Sequence, residues 1–292
     1  MSIDKLQEKI RKMKNPSMVD FSVDLSRIPP HILEEESNEI LAYERFCREL
    51  LDGLKGTVPA VRFNFGRFSL LGPDGLFLMS RMTEYAKSLD YYVLLDAPET
   101  FSAQAAELSV KQLFSDKCLW HFDGLVVSGY AGSDVLKPYV KALKSPNKDL
   151  FVVLRTANKS AAELQDLLTG SRLVHMAAAD IVYRFCESLV GRSGYGQVAG
   201  VGPASSADVL KKLRARYKSL FLLVDGYDLP NANAKNCNLA FDKLGHGAVV
   251  CAGTGITAAW NDETNDGVDY VARAVEAAER MKKNLLRYTT VL

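Results

Sequence analysis

The sequence predicts a single-domain α/β fold, a (β/α)8 or TIM barrel spanning residues 1–292, with an extra N-terminal helix at 1–14. Three observations point there. Eight short β-rich runs alternate with segments of helical period. Most of the runs are continuously apolar, as expected of parallel strands covered on both faces. No Pro/Gly/Ser-rich linker or step in composition divides the 292 residues, a length that one such barrel fills. A doubly wound open sheet shares the alternation and is the rival architecture.

Strands are expected at 17–22, 59–65, 91–96, 124–128, 150–155, 197–201, 220–224 and 248–251. The helix at 38–54 is read from Ile40, Leu41, Phe46, Leu50, Leu51 and Leu54 recurring at helical spacing. Further helices are expected at 75–88, 102–114, 133–143, 160–168, 205–217, 234–244 and 268–286. Ser102, Ser133, Ser160 and Ser205 stand where a hydroxyl caps a first turn. A helical insert at 172–190 separates the fifth and sixth strands and leaves through GRSGYG at 191–196, which reads as a loop rather than a phosphate cradle. In the segment 1–14, Ile3, Leu6, Ile10 and Met13 share one face, suited to closing the barrel bottom or packing beside the last helix.

Composition excludes several function classes. Lys+Arg 36 against Asp+Glu 35 leaves a net charge of +1 with no basic run, which argues against a nucleic-acid groove. No apolar stretch approaches the roughly 18 residues of a membrane span, and residues 1–15 lack the apolar core of a signal peptide. Cys47, Cys118, Cys186, Cys237 and Cys251 are odd in number and scattered, the usage of small core residues in a reducing cytoplasm. His31, His121, His175 and His246 show no metal-ligand spacing, and the C-x-x-H of Cys118 and His121 has no second pair, so no metal is expected.

In a barrel, chemistry belongs at the C-terminal ends of the strands. Those positions read Ser22 and Asp24; Arg62 and Asn64; Asp96 and Glu99; Ser128 and Tyr130; Arg155, Thr156 and Asn158; Gly202; Asp225; then Gly253, Thr254 and Gly255. Arg62 and Asp96 end adjacent strands and are expected within ion-pair reach, either as base and anchor or as a plain structural pair. The run Gly253-Thr-Gly-Ile-Thr-Ala258 matches G-x-G-x-x-A, but no second strand with an acid about 20 residues on follows it. It reads instead as a turn offering backbone N–H groups to a phosphate, or as a tight loop with positive φ. Lysine is absent from the strand ends, which removes Schiff-base chemistry, and arginine gives up its proton too reluctantly to serve as an acid. Arg62 and Arg155 with Asp96, Glu99 and Asp225 suit a polar, anionic small molecule, since guanidinium forks bind carboxylate or phosphate in pairs of bonds.

Several ordered stretches carry a resemblance over nearly the whole chain. They are Lys14-Asn-Pro-Ser-Met-Val running without a gap to Ile28-Pro-Pro, Ser128-Gly-Tyr-Ala-Gly-Ser-Asp-Val-Leu-Lys-Pro-Tyr139 and Arg155-Thr-Ala-Asn-Lys-Ser-Ala-Ala-Glu-Leu-Gln-Asp166. Val201-Gly-Pro-Ala, Val224-Asp-Gly-Tyr227 and Gly253-Thr-Gly-Ile256-Thr-Ala-Ala follow. In these the chain resembles the longer bacterial type of the orotidine 5′-phosphate decarboxylase family. The resemblance implies a cytoplasmic, cofactor-free (β/α)8 homodimer that takes a nucleotide monophosphate and converts orotidylate to uridylate and CO2.

Carried over position by position, the resemblance also implies losses. The family's first-strand aspartate falls on Ser22, with Asp24 two residues on, and its second-strand lysine falls on Arg62. The family's Asp-x-Lys-x-x-Asp reads Asp96-Ala-Pro98-Glu-Thr-Phe101, so a proline stands for the proton-donating lysine. Thr254 stands for the phosphate-gripping arginine, and Asp228-Leu-Pro-Asn231 replaces the loop with a phosphate-binding glutamine. The expectation is a barrel of pyrimidine-synthesis ancestry with weak or no orotidylate decarboxylation. The catalytic candidates are Asp96, Arg62 and Glu99; the substrate-binding candidates are Ser22, Asn64, Tyr130, Arg155, Thr156 and Asp225; Gly253, Thr254 and Gly255 are the phosphate candidates. Two alternatives are a different enzyme on the same barrel acting on a polar anion, and a non-catalytic regulatory or structural homodimer. Phe63, Phe65 and Phe101 are expected to fill part of the old pocket.

Overall fold

A computed structural model of the chain describes residues 1–97, 99–143, 147–261 and 266–292. Eight parallel strands close into a barrel in strictly sequential order. They are Ser17–Asp20, Ala60–Asn64, Tyr92–Asp96, Gly124–Ser128, Asp149–Val153, Val198–Pro203, Leu222–Asp225 and Ala248–Ala252. The closing ladder pairs the first strand with the eighth, Ser17 against Val250 and Val19 against Ala252. Sequential closure rules out the open-sheet rival, whose strand order must reverse at a switch point.

Alternation of side chains across each strand makes two separate cores. Val19, Phe21, Val61, Phe63, Val93 and Leu95 face outward into the layer between strands and helices. Met18, Ala60, Leu94, Phe151, Phe221 and Val249 face inward and fill the barrel. Gly124 is the narrow point of that interior: a Cβ there would lie 2.5 Å from the Tyr92 hydroxyl and 3.0 Å from Phe151 Cε2.

The N-terminal helix Ser2–Met13 closes the barrel bottom rather than lying beside the last helix, Tyr270–Leu286. Its Ile3, Leu6 and Ile10 are fully buried and join the interior cluster with Met18, Tyr92 and Phe221. Under this lid sits the buried carboxyl of Asp149, which accepts a 2.8 Å bond from the Tyr92 hydroxyl. Burial pushes its pKa up to about 8, against the pull of Tyr92 and the Ile3 backbone N–H.

Some expected boundaries move. Of the four serines, Ser102 caps its helix, Ala103–Leu113, by accepting from Ala105 N at 3.1 Å. Ser133 instead begins its helix behind Gly132, whose φ of 97° makes the turn, and Ser160 takes the Asn158 amide at 2.7 Å. The helix expected at 160–168 shrinks to one turn, Ala161–Leu164, before a hairpin pairing Leu168–Thr169 with Arg172–Leu173. The helix expected at 234–244 stops at Asn238, and farther on Asp242 Oδ1 takes the backbone N–H groups of Leu244 and His246 in a turn. All five cysteines are free thiols, and among the described residues no helix is long and apolar enough to cross a membrane.

Candidate active site

Strand register brings four charged residues together at the C-terminal mouth. Asp20, Arg62, Asp96 and Asp225 end or nearly end the first, second, third and seventh strands, with Asp20 directly opposite Arg62 in the ladder. Arg62 donates to Asp96 through Nε at 3.0 Å and Nη2 at 2.5 Å, and to Asp225 through Nη1 at 2.8 Å. Asp20 Oδ2 lies 3.7 Å from Nη1. Asn64 adds an amide donor to Asp96 at 2.9 Å, while its own oxygen caps the following helical turn at Arg67 N.

Burial sets the electrostatics of this cluster. Desolvation raises the Asp20 pKa to about 6, against the pull of Arg62 and with a further push from Asp96. Burial alone would pull the Arg62 guanidinium down, yet Asp225, Asp96 and Asp20 together hold it well above its ordinary value. The arginine is therefore a permanent cation and no proton source.

A cavity of about 490 Å³ opens beside the cluster, with Arg62, Asn64, Asp96 and Ser128 on its walls and the exposed Glu99 at its rim. Of the aromatic residues expected to fill the old pocket, only Phe65 lines this space. Phe63 shares outward parity with Val61 and stacks on Phe21 at 5.4 Å, and Phe101 is 80% exposed. Pro98 lies outside the described residues.

The other expected site residues spend their polar groups elsewhere. Ser22 turns back onto Asp20 Oδ1, and the exposed Asp24 pairs with Arg67 at 2.8 Å, so the acid facing Arg62 from strand one is Asp20. Tyr130 donates to the Leu154 carbonyl at 2.5 Å. Arg155 donates to the Thr156 carbonyl at 2.8 Å and to Asp166 at 3.0 Å, and Asp166 also meets His175 Nδ1 at 3.1 Å. Thr156 takes up the Gln165 amide through both its N–H and its hydroxyl. Arg155, Thr156 and Tyr130 thus brace the insert after strand five and are absent from the cavity wall. The expected two-arginine grip on one anion does not assemble, because each guanidinium is already held by the chain's own carboxylates.

The turn after strand eight is an anion cradle with its own occupant. Gly253 N and Gly255 N donate to Asp228 Oδ2 at 3.1 and 2.8 Å, and the Thr254 hydroxyl lies 3.5 Å from the same oxygen. Neither glycine has positive φ. Close approach is what Gly255 supplies, since a Cβ there would sit 2.8 Å from Asp228 Cβ. Asp228 comes from the loop after strand seven, so one carboxylate ties the last two strand ends together.

Sequence reading missed Asp20 and Asp228. The parity shared by Met18 and Asp20 would have found the first. Nothing local marks the second, because its partner lies 27 residues away.

Fold and site define a (β/α)8 barrel that presents its polar chemistry at the C-terminal strand ends, with a backbone anion cradle on the last turn. The chain belongs to the orotidine 5′-phosphate decarboxylase family. The orotidine 5′-phosphate decarboxylase of Rhodopirellula baltica is 30% identical over 213 residues, covering 72% of this chain and 70% of that protein. That of Clostridium novyi is 27% identical over 286 residues, 98% of each. Two solved structures share the fold across 98% of both chains: the OMP decarboxylase of Leishmania donovani, with TM-score 0.72 and 23% identity, and the orotidine 5′-monophosphate decarboxylase of Plasmodium berghei, with TM-score 0.76 and 14% identity. No family model matches the chain.

Proposed function

We propose that this chain is an orotidine 5′-phosphate decarboxylase-family barrel in which turnover of orotidylate is weak or absent. The observation that carries the reading is the charge balance at the mouth, where three carboxylates surround one guanidinium that they already satisfy. Orotidylate brings a carboxylate and a phosphate of its own. Two like charges 4 Å apart repel by about 4 kcal/mol at an effective dielectric of about 20, and among the described residues no second cation stands in this cluster to offset that.

Proton supply supports the same reading. Loss of CO2 leaves a carbanion that must be protonated in place, and Arg62 is held in its charged form. Pro98, aligned by resemblance with the donor lysine, carries no ammonium and no backbone N–H. Asp228 supports it from the other end of the substrate, since the cradle that would face a phosphate holds a carboxylate instead. Loss of a charge-assisted phosphate contact removes about 1.5–3 kcal/mol of binding. Remote phosphate binding also feeds the transition state, so turnover falls with affinity. From the family resemblance the reading takes a homodimer in the cytoplasm with no cofactor.

The test is a continuous absorbance assay of orotidylate with the purified chain. The expected result is a rate close to the uncatalysed background; sustained, efficient turnover would overturn the reading.

A further inference from the structure

The opposite end of the barrel carries a second polar cavity, of about 460 Å³, between the N-terminal helix and the loop that follows the 172–190 insert. We propose that it binds a compact oxyanion with two or more negative charges, through Arg11, Arg192 and His246. The inference does not depend on the reading of the C-terminal mouth.

Charge accounting comes first. Two acids also line the cavity, and each is matched by another cation: Asp4 accepts from Ser193 N at 2.8 Å and meets the N-terminal ammonium at 3.1 Å, and Glu8 pairs with Lys12 at 2.7 Å. Arg11 and Arg192 are exposed and act on the Glu8 carboxylate electrostatically, more weakly than Lys12 does. With both acids already matched, the two guanidinium groups leave this concave surface with surplus positive charge.

An orphaned polar atom gives an independent second observation. Gln7 is only 5% exposed and lines the same cavity; its oxygen accepts from Gly247 N at 2.9 Å, while its Nε2 has no partner. A buried donor without an acceptor is costly, and native structures rarely leave one unless something else fills the role. His246 is held at the rim by a 2.8 Å bond between its Nε2 and the Leu292 carbonyl. An oxyanion seated here meets two guanidinium forks, the geometry that favours phosphoryl and carboxylate groups.

Isothermal titration of the full chain in low-salt buffer, with pyrophosphate and separately with citrate, tests the site. Saturable one-to-one binding of at least one probe is expected. The double variant Arg11→Gln/Arg192→Gln should weaken it by about tenfold or more, with an unchanged circular dichroism spectrum because both side chains are exposed. Lys211→Gln, an exposed lysine outside this cavity, should leave the affinity unchanged. No saturable binding of either probe by the unmodified chain, equal binding by the double variant, or loss of binding in Lys211→Gln would each overturn the proposal.

Discussion

Arg62 holds Asp96 by two bonds at once, Nε to Oδ1 at 3.0 Å and Nη2 to Oδ2 at 2.5 Å, and with its remaining nitrogen reaches Asp225 at 2.8 Å. One guanidinium thus ties the second, third and seventh strands at the barrel mouth. Removing it leaves three carboxylates facing one another. Arg62→Met is expected to lose about 3–5 kcal/mol in urea unfolding, the cost of stranding buried charge. Arg62→Lys keeps the charge but not the fork, and should fall between the two. A loss below about 1 kcal/mol for Arg62→Met would mean that the cluster is solvated and structurally idle.

The lid on the barrel bottom offers a packing test. Leu6 is fully buried against the barrel interior, so Leu6→Ala should cost about 2–5 kcal/mol through lost contact and the cavity left behind. An effect near zero would mean that the N-terminal helix is only loosely docked.

Gly124→Ala tests the narrow point inside the barrel. The added methyl group would meet the Tyr92 hydroxyl, Leu94 and Phe151, and the expected loss is about 1–3 kcal/mol from overpacking. Tyr92→Phe, which removes one of those atoms, should recover part of it.

Asp149 gives a pH signature of defined sign. Its folded-state pKa is raised to about 8, above the ordinary 3.8, so between those values the folded chain binds the proton that the unfolded chain has released. This contribution to stability is fully present below about pH 4 and is lost as pH rises through about 8. The comparison of the unmodified chain with Asp149→Asn isolates it from the other carboxylates. The unmodified chain should lose stability relative to the variant between pH 5 and pH 8.5, measured by urea midpoints; a constant difference would contradict the assignment.

Sequence made the barrel legible because parallel strands covered on both faces must be apolar throughout, and such runs as Tyr92–Asp96 and Leu222–Asp225 are unmistakable. Strand ends were harder. Running strand one to Ser22 hid Asp20 inside it, although Phe21 N makes the next ladder bond, to the Arg62 carbonyl, and Ser22 already folds back. The pairing of Arg62 with Asp96 followed from strand adjacency. The engagement of Arg155 by Asp166, and of the last turn by Asp228, depends on loops whose path no local pattern fixes. Phe63 faces away from the pocket for a reason that the sequence carries: it lies two residues after Val61 and shares its outward parity.

The most direct test of the central claim is a single-turnover experiment, with the chain in molar excess over orotidylate near pH 7 and uridylate formation followed over hours. Under these conditions even slow chemistry on bound substrate registers. The crowded carboxylates around Arg62 and the filled cradle at Gly253 and Gly255 lead to uridylate formation that is at most slow, or no faster than the uncatalysed background. A rapid first-order conversion of all the orotidylate, saturating with protein concentration, would contradict this account.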